Sequence, residues 1–248
     1  MAGQEQEIKL KVFFGKKEAQ YYNGLLIKAD LGLHEQIAEA VVAKVPKGGK
    51  VLDLGAGEGA LSDRLADLGY DVVSADMDRE SFKSKKATFS HINFDRTDQL
   101  EAFVVKYDSS FDAVLGVEVI EHVQDQWKYV KQLVKMAKPG GLVLITTPNI
   151  TSWLSRVIFL LNGRFHQFAD QDLDYGHISP ISPWELELIL RACEAEDIKI
   201  ASAGTLPPLY LSGSLKMIFL NLLALLVRPF SKGILDGWCV IATGQKKQ

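Results

Sequence analysis

Val51–Asp78 reads VLDLGAGEGALSDRLADLGYDVVSADMD: an apolar run, a glycine-rich turn at Gly55-Ala56-Gly57-Glu58-Gly59, and a second apolar run that stops at Asp76. The pattern predicts a strand over Lys50–Leu54, a helix over Ala60–Leu68 and a second strand over Asp71–Ala75. A glycine turn between strand and helix lets a ligand touch the backbone, and the helix N-terminus offers unpaired N–H groups. By itself that signal is weak. Gly55, Gly57 and Ala60 satisfy the dinucleotide pattern G-x-G-x-x-A with Asp76 about 20 residues on, so a nicotinamide cofactor is one reading. Two acids oppose it. Asp53 closes the strand and Glu58 sits inside the turn, where negative charge repels a diphosphate and suits a cationic ligand without phosphate.

Outward from this stretch the apolar period keeps switching between strand and helix, the signature of an α/β protein with a parallel sheet. Further strands are predicted over His91–Phe94, Phe111–Gly116 and Leu142–Thr147, and helices over Asp30–Val45 and His122–Met136. Beyond Pro148 the pattern predicts a helix over Ser152–Leu161, a loop over Gly163–Ser182, an amphipathic helix over Pro183–Ala195, and last strands over Ile198–Ala203 and Trp238–Thr243. No linker interrupts this order. The 248 residues therefore read as one domain, with an N-terminal helical lid over 1–49, a cofactor-binding core over 50–147 and acceptor-side additions over 148–248.

With 47% apolar and 24% charged residues the chain is neither disordered nor fibrous, and its net charge of -3 supplies no electrostatic reason for a nucleic-acid partner. Cys193 and Cys239 match no metal spacing and read as two buried thiols in a reducing, cytoplasmic compartment. The opening MAGQEQEIKLKVFF lacks the apolar stretch of a secretory signal.

A ligand carrying an ammonium and a sulfonium but no phosphate meets the charge requirement, and S-adenosylmethionine is such a ligand. Three stretches carry a resemblance to the class I S-adenosylmethionine-dependent methyltransferases: Val51–Asp78, FDAVLGVEVIEHV at Phe111–Val123, and KPGG at Lys138–Gly141. The resemblance implies a Rossmann-like sheet of seven mostly parallel strands in the order 3-2-1-4-5-7-6, strand seven antiparallel, with helices on both faces. It also implies roles. Asp53 and the loop Gly55, Ala56, Gly57 and Gly59 would hold the methionine portion, and Asp76, with Met77 after it, would take both ribose hydroxyls. Phe94 and Asp95 would sit at the adenine, with Asp98 close enough to exchange roles with Asp95, and Val117-Glu118 would line the site.

Glu118, Glu121 and His122 stand at i, i+3 and i+4, which on a helix leaving the fourth strand would place them on one face at the carboxyl end of the sheet. Methyl transfer requires the acceptor to be positioned and its proton removed, work for a histidine base or for a metal that acidifies a hydroxyl. Glu-x-x-Glu-His, Thr147-Pro148-Asn149 and His177 in DYGHISP are similar to ubiquinone-type O-methyltransferases and small-RNA 2'-O-methyltransferases. That similarity implies His122, His177 and Glu118 as catalytic candidates. It further implies Glu118, Glu121, His122 and His177 as ligands of a divalent cation such as Mg, against the plainer reading that Glu121-His122 only shapes the helix.

Substrate choice lies in the additions. Tyr21, Tyr22, His34 and Glu35 are candidates for a lid; Trp153, Arg156, Phe165, His166, Phe168 and Tyr175 for the acceptor wall. Ser214–Phe230 (SLKMIFLNLLALLVRPF) is too short to span a bilayer and reads as a core helix, a homodimer helix, or an interfacial helix that would bring the chain to a membrane surface. The expected acceptor is a small-molecule, glycan or lipid-linked hydroxyl. An RNA 2'-O-methyltransferase, a nicotinamide-dependent oxidoreductase and a non-catalytic cofactor-binding protein are the alternatives.

Overall fold

The structure is a computed structural model that describes residues 18–205, 215–230 and 236–248. At its centre β3 (Lys50–Leu54) pairs in parallel with β4 (Asp71–Asp76) on one side and β6 (Phe111–Val117) on the other. β5 (Thr88–His91) extends the first side; β7 (Ala137–Pro148), β9 (Cys239–Lys246) and β8 (Ala195–Ala203) extend the second. β9 runs antiparallel to both of its neighbours. The order β5-β4-β3-β6-β7-β9-β8 is the seven-stranded class I arrangement with its last strand reversed. Strand order turns back between β3 and β6, and in such sheets the crevice at the carboxyl ends of those strands receives the ligand.

The central strands are apolar runs because both faces are covered. Leu52, Leu54, Val114 and Val143 pack under α3 (Thr97–Lys106), α4 (Gln126–Met136) and α6 (Pro183–Ala192), whereas Val51, Val72 and Leu115 pack under α1 (Leu33–Lys44) and α2 (Ala60–Asp67). Lys138–Gly141 makes a tight irregularity near the start of β7, where a Cβ on Gly141 would lie 2.8 Å from the Lys138 carbonyl oxygen.

Five sequence expectations are corrected. Residues 20–27 are not helical: β1 (Gln20–Tyr22) and β2 (Leu25–Ile27) form an antiparallel hairpin, turned by Asn23 and Gly24 at φ 51° and 79°. The first 17 residues of the expected lid lie outside the described residues. The third parallel strand is Thr88–His91, because the pairing with β4 ends at Asp76↔His91 and the chain then turns at Asn93–Arg96. α3 stands between β5 and β6 as a helix beyond those the sequence pattern predicts. α4 starts at Gln126, capped by the Asp125 carboxylate accepting from Lys128 N, so 118–125 is a turn and Glu118, Glu121 and His122 share no helix face. Cys239 is buried, but Cys193 is only half-buried.

α5 (Trp153–Asn162) leaves β7 and carries α7 (Leu215–Val227) on its flank; Arg228–Phe230 continues α7 as a 3-10 turn, and Ser214 lies outside the described residues. Among the described residues no helix is long and apolar enough to cross a membrane.

Candidate cofactor and acceptor site

A cavity of about 640 Å³ opens at the β3/β6 switch point. Of the residues the sequence offers for cofactor binding, catalysis or metal ligation, Asp53, Gly55, Ala56, Gly57, Asp76, Met77, Phe94, Asp95, Val117, Glu118, Glu121, His122 and His177 line it, and Gly59 does not. Gly59 serves the loop instead. At φ 90° it caps α2, and a Cβ there would meet Ser84 Cβ at 2.6 Å and Phe82 Cε2 at 2.9 Å.

The glycine loop is built to bring backbone to the cavity. Gly55 has φ 87°, and a Cβ on it would strike Val119 Cγ2 at 2.2 Å, so both its conformation and its space exclude a side chain. Asp76 at the end of β4 fixes the loop by accepting from Gly57 N at 2.8 Å, while its other oxygen accepts from Asp78 N at 2.9 Å. Asp53 is buried and accepts from Ser62 Oγ at 2.6 Å. Burial, aided by the nearby Asp76 charge, pushes its carboxyl up to about 6 against the Ser62 hydrogen bond.

Glu58 departs from its sequence reading as a free charge facing the ligand. Its carboxylate accepts from Leu26 N at 2.9 Å and pairs with Lys83 Nζ at 2.5 Å, and those partners hold it below the usual carboxylate range. Its carbonyl oxygen accepts from Lys83 N and Ser84 N. One residue thus ties the hairpin and the 82–84 segment to the glycine loop. The hairpin is also held by Tyr22 and Asn23, which donate to Asp67 at 3.0 Å, with the Arg64 guanidinium 4.3 Å over the Tyr22 ring. Arg64 also binds Glu35 at 2.9 Å, so Tyr22 and Glu35 are spent on the scaffold. Gln20, Leu26, Lys28, Asp30 and His34 line the cavity, and of these the sequence reading had singled out His34 alone. Burial and then the Arg64 charge lower His34 to about 4, so it is neutral.

On the far side of the loop Asp95 lines the cavity, whereas Asp98 is taken by Arg96 at 3.0 Å. Position thus separates the two acids that the sequence left interchangeable.

The acid and histidine cluster faces this half from β6. Glu118 has φ 52°, a conformation that costs a non-glycine residue on the order of 1 kcal/mol or more. In return its carboxylate turns inward, accepting from Thr146 Oγ1 at 3.0 Å and from Cys239 Sγ at 3.5 Å. Desolvation pushes Glu118 up to about 7, and burial with the Glu118 charge raises the fully buried Glu121 well above its ordinary value. Thr147 Oγ1 donates to Glu121 Oε2 at 3.1 Å; Glu121 Oε1 is buried with no hydrogen-bond partner among the described residues and lies 3.9 Å from His122 Nε2. The rings of His122 and His177 meet edge to face at 5.0 Å. His177 Nδ1 lies 2.8 Å from the Gln167 carbonyl oxygen, which can only accept, so in the neutral ring the proton sits on Nδ1 and Nε2 is the basic atom. Burial, then the His177 charge, lower His122.

Of the four expected metal ligands only Glu121, His122 and His177 converge, with ligand atoms within 4.8 Å of one another; Glu118 is engaged elsewhere. Of the expected aromatic wall only Tyr175 lines the cavity. Trp153 is buried with α5, Phe165 stacks on Phe159, His166 packs on Trp238, and Phe168 tilts against His177 at 5.5 Å. Trp238, read only as the start of a strand, is part of the wall. Asn149 holds it in place, its side-chain amide donating to Gly237 O at 3.1 Å and its backbone N to Trp238 O at 3.0 Å.

A family model described as a methyltransferase domain matches residues 30–199, more than half of the chain. The chain belongs to this family. The chain is 36% identical over 104 residues to the ubiquinone biosynthesis O-methyltransferase of Parvibaculum lavamentivorans, a match covering 41% of each chain. Less than half the length of the curated relatives is therefore spanned. Among solved structures it resembles a SAM dependent methyltransferase from Archaeoglobus fulgidus, with TM-score 0.59, 16% identity, and 86% and 94% of the two chains covered. It also resembles the phosphoethanolamine N-methyltransferase 2 of Haemonchus contortus in complex with S-adenosyl-L-methionine, with TM-score 0.57, 16% identity, and 90% and 54% covered. At these identities the structures establish the fold alone. The family match removes the nicotinamide reading of the glycine loop.

Proposed function

We propose that this methyltransferase carries the methyl group of S-adenosylmethionine to an oxygen of a small-molecule, glycan or lipid-linked acceptor, with His177 as the base. The observation that carries the reading is the pinned imidazole: Nδ1 is committed to Gln167 O, and Nε2 is left basic in the same cavity as the glycine loop. In this reading the acceptor oxygen attacks the sulfonium methyl, the C–S bond breaks, S-adenosylhomocysteine leaves, and the hydroxyl proton passes to His177 Nε2. His122, held neutral, would lie beside the acceptor, and Trp238 and Tyr175 would flank it. Asp76 would take the ribose hydroxyls, Phe94, Asp95 and Met77 the adenosine edge, and Gly55–Gly57 with Asp53 the methionine portion. Glu118 and Val117 would form the floor, and the hairpin the lid. The proposed setting is the cytoplasm, with a peripheral membrane or a second copy as partner of segment 214–230. The seven acids that line the cavity, Asp30, Asp53, Glu58, Asp76, Asp95, Glu118 and Glu121, disfavour an RNA acceptor. Incubation with S-adenosylmethionine and a panel of phenolic, sugar and lipid-linked hydroxyls, reading S-adenosylhomocysteine release, tests the reading. Release above the acceptor-free rate supports it; transfer only to amines or to RNA contradicts it.

Asp53 adds a pH dependence. Its carboxyl is raised to about 6 in the free chain, so below that pH the proton must leave before the ammonium of the ligand can pair with it. S-adenosylhomocysteine affinity is expected to rise as pH increases from 5 to about 6.5, by up to about tenfold per unit at the acid end, and then to level off. Asp53→Asn should bind weakly with no such rise. Calorimetric titration across pH reads both.

A second reading is favoured by the convergence of Glu121, His122 and His177 and by the buried Glu121 oxygen that accepts no hydrogen bond among the described residues. Two imidazoles and one carboxylate fit a divalent cation, and that set suits a transition ion better than Mg. Bound there, such an ion would acidify an acceptor hydroxyl. Full activity in chelator-treated protein would exclude it, and loss restored by one added divalent ion would establish it.

A further inference from the structure

The amino-acid end of S-adenosylmethionine bears a carboxylate on the same carbon as its ammonium. Asp53 would answer the ammonium and repel the carboxylate beside it. Seven acids line the cavity against a single lysine among the described residues, Lys28, whose charge acts on Glu58 and Asp78. The carboxylate therefore needs hydrogen-bond donors close at hand. The start of α1 offers them. Asp30, Leu31 and His34 line the cavity there, and the N-cap of α1 is Gly32 at φ 77°, so no side chain caps the helix. Leu33 N and Gln36 N donate to Asp30 O and Gly32 O, whereas His34 N and Glu35 N have no partner among the described residues. An open helix N-terminus favours an anion.

His34 is the second, independent observation. It is only 8% exposed, and its ring has no hydrogen-bond partner among the described residues. Nδ1 is shut away from solvent as well, which leaves Nε2 as the nitrogen that can meet a ligand in the cavity His34 lines. A buried N–H without an acceptor is rarer than a buried lone pair without a donor, so the neutral ring keeps its proton on Nε2 and presents a donor. His177 carries the opposite tautomer, with Nδ1–H held by Gln167 O. Leu33 packs with Leu61 of α2 and Val117 of β6, which sets the start of α1 beside the first turn of α2, where the glycine loop ends. Asp30, the acid nearest in sequence, is engaged by Thr205 N and Thr205 Oγ1.

We infer that His34 Nε2–H and the open N–H groups at the start of α1 form a carboxylate subsite for the amino-acid end of the cofactor. The subsite rests on the cofactor reading, and its test is read without turnover. The full chain is titrated calorimetrically with three ligands: S-adenosylhomocysteine, its decarboxylated analogue, which keeps the ammonium, and 5'-methylthioadenosine, which lacks the amino-acid end. The wild type is expected to bind S-adenosylhomocysteine at least about tenfold tighter than the decarboxylated analogue. His34→Leu should lose about tenfold toward S-adenosylhomocysteine and stay within about twofold toward the decarboxylated analogue, whose binding also reports that the variant is folded. His34→Gln, which keeps an N–H donor, should recover most of the loss. Equal losses toward both ligands would mark a purely structural His34 and overturn the proposal. So would a wild type that binds the two alike, the result expected if the same donors serve an acidic acceptor. If that wild type still binds 5'-methylthioadenosine, the cofactor reading stands without the subsite; if it binds none of the three, both fall.

Discussion

Asp76→Ala is expected to weaken S-adenosylhomocysteine binding by about a hundredfold while the chain stays folded. In the proposed complex each carboxylate oxygen accepts one ribose hydroxyl, and a hydrogen bond to a charged group is worth about 1.5–3 kcal/mol. Losing two such bonds removes at least about 3 kcal/mol, the lower end of their sum, which is roughly a hundredfold in affinity. The substitution also frees Gly57 N, which belongs to a residue lining the cavity, and the exposed Asp78 N, and water can replace the lost acceptor at both. Asp76→Asn, which keeps the shape and loses the charge, should fall between the two. Isothermal titration with circular dichroism as the fold control decides it, and unchanged affinity refutes the ribose assignment.

His177→Gln is expected to lower kcat by about 10²–10⁴, the usual contribution of a positioned base, and to leave S-adenosylhomocysteine affinity within about twofold. The glutamine can keep a donor toward Gln167 O but has no basic nitrogen to offer the acceptor. A purely structural His177 would show the opposite pattern, with the melting temperature and both binding steps falling together. His122→Gln separates the pair: its ring is the lowered one and should cost less in kcat than His177 if His177 is the base.

The sheet was legible because the strands that form the ligand crevice are buried on both faces and are followed at once by their ligand-facing turns. Val51–Leu54 leads into the glycine loop, Val72–Ala75 into Asp76, and Phe111–Val117 into Glu118. What spacing could not reveal was backbone conformation. Glu118, Glu121 and His122 fit one face of a helix as letters, but the positive φ of Glu118 turns its carboxylate toward Thr146 and Cys239 and leaves Glu121 with the histidines. The hairpin did leave a signal, Asn23-Gly24 between two short apolar pairs, which a reading of the N-terminus as helical passed over. Trp238 and Gln167 had no local signal. They reach the cavity through contacts with Asn149 and His177 far away in sequence, and only the folded chain brings them there.

The central claim is that the cavity between β3 and β6 is an S-adenosylmethionine site. Calorimetric titration of one preparation with S-adenosylhomocysteine and, separately, with NAD tests it most directly. Saturable one-to-one binding of S-adenosylhomocysteine that Asp76→Ala weakens by about a hundredfold is expected, with no heat from NAD. Saturable binding of NAD, or S-adenosylhomocysteine binding that Asp76→Ala leaves untouched, would contradict it.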